Sequence, residues 1–135
     1  MYASQSDIED IFGVTNVAIW SQLDPTQPPG TPDTSRIQRA LDYADARLIA
    51  FFRTQGNYAT PLAPLNSAVD LVTRWDATLA GVWLYESRGL RDDTTNGNKY
   101  AQMARQVIAE MGVYRANDKL DAVRRWPAPT APAAS

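Results

Sequence analysis

The chain of 135 residues contains no cysteine and no histidine. Without cysteine there is no disulfide frame and no thiolate to act as nucleophile or soft metal ligand. Without histidine the commonest general base and the commonest metal ligand are missing too. Lysine is scarce, since eleven of the thirteen bases are arginine, whose planar fork suits interfaces better than an ammonium group does. No segment reaches the ~20 apolar residues that a bilayer-spanning helix needs. The longest apolar run, Leu79 to Tyr85, is closed by Asp76 and Glu86. The opening Met1-Tyr2-Ala3-Ser4-Gln5 lacks the basic and apolar regions of a signal peptide,. A protein made and used in a cytoplasm, or in something assembled there, is therefore expected, with no membrane contact. A Gly-x-Ser-x-Gly elbow and a Gly-rich phosphate loop are also missing, so an enzyme is not expected.

With 44% apolar and 21% charged residues, the composition is that of ordinary globular material, and the length suits one core. The formal charge of −2 hides an asymmetry: residues 1–46 hold seven acids and two bases, whereas residues 88–125 hold eight bases and five acids. Such polarity suits head-to-tail contact between copies.

Helical periodicity organises most of the sequence. Ser6-Asp7-Ile8-Glu9 reads as a capping box opening a short helix that ends at Phe12-Gly13. A second short turn covers Asn16 to Ser21. The stretch Asp24 to Pro32 holds four prolines and excludes regular helix,. Asp33 or Thr34 caps a long helix to about Gln55-Gly56, with Ile37, Leu41, Ala44, Leu48, Phe51 and Phe52 as its apolar stripe. The link Tyr58-Ala59-Thr60-Pro61-Leu62-Ala63-Pro64 is extended. A central helix follows, from about Leu65 or Ser67 to Arg88-Gly89, apolar almost all round in its second half. After the polar loop Arg91 to Asn98, a last helix from Lys99 to Met111 carries Tyr100, Met103, Ala104, Val107, Ile108 and Met111, and Gly112 stops it. No run alternates with the period of a strand. The expectation is an all-α protein: a bundle of three longer helices plus two short N-terminal helices over residues 1–112, and an extended Pro/Ala-rich C-terminal arm over 113–135.

Few residues offer chemistry. Asp42 and Asp45 lie one turn apart and share a helix face, which is how a metal or a proton is held, but charged helix pairs are ordinarily solvated surface. Asp92-Asp93-Thr94-Thr95-Asn96-Gly97 glances at a calcium loop. Met103 stands where the bidentate glutamate belongs, so a plain turn is the better reading. Trp75, Trp83 and Tyr85 suit core packing more than an aromatic pocket. No cofactor, metal site or catalytic residue is assigned. Trp20 and Trp126 sit where local core is thin, and an indole outside the core is a natural interface anchor. With Arg115, Lys119, Arg124 and Arg125 they form the candidate partner-binding set. The alternative is a small regulatory or DNA-binding helical protein, supported only by that basic group. Against it stand a pI near 5.0 and a proline-bound link where a helix-turn-helix needs a tight turn.

Met1-Tyr2-Ala3-Ser4 leading into Asp7-Ile8 and Phe12-Gly13 resembles the opening of a Mu-like prophage family of small helical virion proteins. Tyr58-Ala59-Thr60-Pro61-Leu62 resembles that family's Tyr-x-x-Pro-Leu segment between two main helices. The similarity spans roughly residues 1–112. It implies a head-to-tail adaptor or head-completion protein of a tailed phage, located in the virion at the head–tail junction. By the same resemblance the chain forms a ring, typically a dodecamer, on the portal protein and meets a tail-side connector or stopper. DNA passes through such a ring without sequence-specific binding. The four-proline loop and the Ala/Pro tail depart from the family pattern.

Overall fold

Ser4, rather than Ser6, starts the first helix. Its hydroxyl accepts from the Asp7 amide at 3.4 Å, and the Asp7 carboxylate accepts from the Ser4 amide at 2.8 Å. This reciprocal box satisfies two amides that a helix start leaves without partners. The computed structural model describes residues 2–22, 26–28, 30–53, 58–59, 61–87, 97–117 and 119–124. Among them the protein is all-α, with α1 (Gln5–Phe12), α2 (Val14–Ser21), α3 (Thr34–Arg53), α4 (Ala68–Ser87) and α5 (Gly97–Ala116). No described helix is long and apolar enough to cross a membrane. The expected calcium-like turn at 92–96 and much of the four-proline stretch lie outside the described residues.

Gly13 turns α1 into α2 with φ +95°, a conformation that a side chain disfavours, while its amide closes α1 on the Glu9 carbonyl at 2.8 Å,. Asp33 caps α3 by accepting from the Arg36 amide at 3.2 Å,. The α3 stripe then buries Ile37, Ala40, Leu41, Ala44, Leu48 and Phe52, because an apolar residue every third or fourth position makes one continuous face.

α4 is central, as its all-round apolar second half requires. The other four helices pack on it, and twelve of its twenty residues are buried. Trp75 stacks on Phe52 of α3 at 5.9 Å and meets Tyr114 of α5 edge-on at 5.4 Å. Its indole N–H donates to Glu110 at 2.6 Å, so this large side chain is fully buried without orphaning its polar atom. At Gly81 the Phe12 ring of α1 occupies the space where a Cβ would stand. A glycine inside a helix costs about 1 kcal/mol relative to alanine. Here it admits an aromatic ring to the core.

The C-terminal boundary differs from the expected one. α5 does not stop at Gly112 but runs through it to Ala116. Tyr114 packs on Trp75, and Arg115 donates to the Phe51 carbonyl at 3.0 Å. These contacts outweigh the helix penalty of one glycine. Residues 119–124 are likewise part of the core, with Leu120 and Ala122 buried. They lie antiparallel to the 58–65 link through bridges Tyr58–Arg124 and Pro64–Ala122. Hydrogen bonds run from the amides of Ala59, Leu65 and Val123 to the carbonyls of Val123, Asp121 and Ala63. The break expected at 112/113 thus falls inside a helix. Of the expected arm, 125–135 lies outside the described residues.

Candidate interaction surfaces

Trp20 is not an exposed anchor. It is 4% exposed, held edge-on against Phe12, Tyr85 and Tyr100 at 5.5, 5.2 and 5.1 Å. The second short helix folds inward on α4, and its indole completes an aromatic cluster with residues from three other helices. The basic candidates are positioned one by one. Arg115 stacks over Phe51 at 4.0 Å as well as bonding its carbonyl. Arg124 stacks over Tyr58 at 4.6 Å and donates to the Leu120 carbonyl at 3.1 Å. Lys119 is exposed. Arg115 and Arg124 therefore fasten the C-terminal segment to its own core. Arg125 and Trp126 lie outside the described residues.

A different cluster has the composition of an interface. Tyr43 on α3 and Trp83 on α4 pack with ring centres 6.0 Å apart. The Arg36 guanidinium lies 5.3 Å over the Trp83 ring and donates to Ser87 Oγ at 2.6 Å. Arg47 donates to the Tyr43 hydroxyl at 3.0 Å. Beside them, where α3, α4 and α5 meet, lies a groove lined by Tyr43, Arg47, Leu79, Val82, Trp83, Glu86 and Ala104. Tyr43 is 41% exposed and Trp83 half-buried. Tryptophan, tyrosine and arginine are the residues that dominate protein–protein binding energy. A second cleft, between α4 and the other flank of α5, is lined by Arg74, Thr78, Met103 and Val107. With clefts on both flanks, the α5 stripe stays half-open: Tyr100, Met103, Ala104, Val107 and Ile108 are partly buried and only Met111 is fully so. Periodicity finds the stripe, but nothing in it says how much the fold leaves uncovered.

Among the described residues, the acid with no exposed surface is Asp76 on α4, whose carboxyl group meets that of Asp45 and the backbone of Ala3. Burial drives its pKa up, Asp45 of α3 drives it further, and the nearby Ala3 backbone tempers the rise; the result is about 9. Two facing carboxyl groups in a poorly solvated site cannot both ionise, so one proton serves the pair. Tyr2 completes the arrangement. Its amide lies 3.4 Å from Asp45 Oδ1, its hydroxyl donates to the Leu62 carbonyl at 2.6 Å, and its carbonyl accepts from Thr73 at 2.8 Å. Burial, then Asp45 and Asp76, push its phenol up to about 12. Asp45 is thus engaged with Asp76, not with Asp42, which is exposed and accepts from Gln38 at 2.9 Å. Among the described residues no group of three metal-ligating side chains forms. A partner thirty-one positions away leaves no periodic trace, and the sequence pointed only to the i,i+3 neighbour.

A family model described as bacteriophage Mu, Gp36, matches residues 2–116, nearly all of the described core. The chain belongs to the bacteriophage Mu Gp36 family. It is thus a phage protein, as the resemblance at Met1–Gly13 and Tyr58–Leu62 led one to expect. The match to the Gp36 family ends at the last residue of α5. No curated protein matches the chain significantly.

Proposed function

We propose that this protein is a non-enzymatic structural component of the virion: an adaptor at the head–tail junction that docks on the portal and joins it to the tail machinery. The observation that carries this reading is the half-open α5 stripe beside the Tyr43–Trp83–Arg36–Arg47 cluster, in a chain of the Mu Gp36 family. A protein built to act alone buries such a stripe, as α3 does. One built to assemble leaves apolar and aromatic surface for a partner, because removing that surface from water drives association. Portal, neighbouring copies and a tail-side connector are the proposed partners, with DNA passing unread. The DNA-binding alternative loses support because Arg115 and Arg124 are spent on internal contacts.

The test is imaging of the full chain with the portal and tail proteins encoded beside it, alongside a chain ending at Arg124. A ring of this protein stacked on the portal supports the adaptor reading. Density elsewhere in the particle, or none, sinks it. The shortened chain keeps residues 119–124 and so retains a folded core. If residues 125–135 form the docking arm, it folds but does not join the portal.

A further inference from the structure

We propose that Tyr2 and Ala3 form a proton-operated clasp, closed over the Asp45–Asp76 carboxyl pair while the pair holds a proton and opened when that proton leaves. The geometry is that of a strap across three elements. The Tyr2 amide lies 3.4 Å from Asp45 Oδ1 on α3, its carbonyl accepts from the Thr73 hydroxyl of α4 at 2.8 Å, and its phenol donates to the Leu62 carbonyl of the 58–65 link at 2.6 Å. Thr73 and Asp76 stand one turn apart and share a face of α4, which puts the strap over the acid. The Ala3 backbone reaches the Asp76 carboxyl, and the two residues are buried together, at 5% and 0% exposure. Few charges bear on Asp76. Asp45 faces it from α3, and the Tyr2 phenol and the α-amino group act from the strap's side. Among the described residues, α1, α2, α5 and the link bring no charged group to it. The Ala3 backbone and the α-amino group favour the ionised carboxylate, but burial and Asp45 favour the proton more strongly. The strap is itself part of that burial. With one proton, one carboxyl group bonds the other and the cover costs little. With both groups ionised, two like charges face each other in a poorly solvated site, and lifting the strap admits water to both. Closing therefore takes up a proton, so opening becomes more frequent as pH rises from the ordinary carboxylate range towards the raised value of the closed site. Ser4, the cap of α1, follows directly on the strap, and the same step loosens the start of that helix.

The test is amide exchange at Ala3 in the full chain, followed by NMR from pH 5 to 8 and divided by the intrinsic exchange rate at each pH. Opening at Ala3 should be at least about tenfold more frequent than at Leu48 of α3, the reference for whole-chain unfolding. It should rise by about five- to tenfold per pH unit, tenfold being the ceiling for one proton. Asp76→Asn should hold opening near its pH 5 frequency throughout. Asp45→Asn, which leaves burial acting without the facing charge, should make the rise level off at lower pH. Thr73→Val removes one strap bond. It should raise opening several-fold at every pH and, read from the carboxyl carbon signal, lower the pH at which Asp76 titrates. A flat profile in the native chain, a rise unchanged in D76N or D45N, an Asp76 titration unmoved by T73V, or opening no more frequent at Ala3 than at Leu48 would each overturn the inference. None of these results depends on where in the particle the protein sits, so the adaptor reading stands or falls separately.

Discussion

α3 and α5 are helices of equal length with stripes of the same kind, and the fold treats them differently. On α3 every third or fourth residue from Ile37 to Phe52 is buried, while among the described side chains of α5 only Met111 is. Both lie against α4. The difference is that α3 packs along α4 for much of its length and also meets α2, whereas α5 has α4 as its main neighbour and a cleft on either flank. A hydrophobic stripe therefore records what a helix is able to bury, and not what one copy of the chain buries for it.

The largest test of that contrast compares truncations. Leu48→Ala on α3 removes side-chain volume from a closed site and should cost about 3 kcal/mol in chemical denaturation. Ile108→Ala on α5 should cost about 1 kcal/mol, because the site is already part-solvated. Equal losses would mean that α5 is as closed as α3. Gly81→Ala comes next: the added methyl displaces the Phe12 ring, and a loss of about 2 kcal/mol is expected despite alanine's better helix propensity,. Alanine stabilising the protein would show that Phe12 is easily moved.

The packed face between α3 and α4 also carries a pH dependence. Unfolded, Asp76 titrates near 3.9; folded, it keeps its proton to about 9. Below about pH 4 it is neutral in both states. Between those values the native state binds more proton than the unfolded one, so stability falls as pH rises, by on the order of 1 kcal/mol per pH unit. Asp76→Asn should flatten that slope and raise stability at pH 8, as followed by thermal unfolding across pH 5–9. The smallest effect is expected where the chain continues from α5. Tyr58→Phe removes the acceptor for the Leu120 amide, 3.3 Å away. It should cost about 1 kcal/mol and speed hydrogen exchange in 119–124 more than in α3.

Where the sequence was legible, it was so through period. The stripes of α3 and α5, the centrality of α4 and the all-α class follow from apolar spacing alone. Gly112 misled because its cost is small beside the contacts of Tyr114 and Arg115, which no local pattern announces. The segment 119–124 buries Leu120 and Ala122 and exposes Asp121 and Val123, an alternation that the apolar Val123 hides in the sequence. Trp20 misled for the opposite reason: burial by partners from α1, α4 and α5 is invisible in the eight residues of its own helix. The Asp45–Asp76 pair and the Tyr43–Trp83 cluster belong to the same class, created by helices crossing.

The 58–65 link takes the Tyr2 hydroxyl on the Leu62 carbonyl and the Val123 amide on the carbonyl of Ala63, next in line. It is a buckle through which both extremities of the described fold are fastened. Tension applied between those extremities would strain this strip first and leave the helices slack, and a covalent bridge across the same gap would offer a route to opening the chain at another loop.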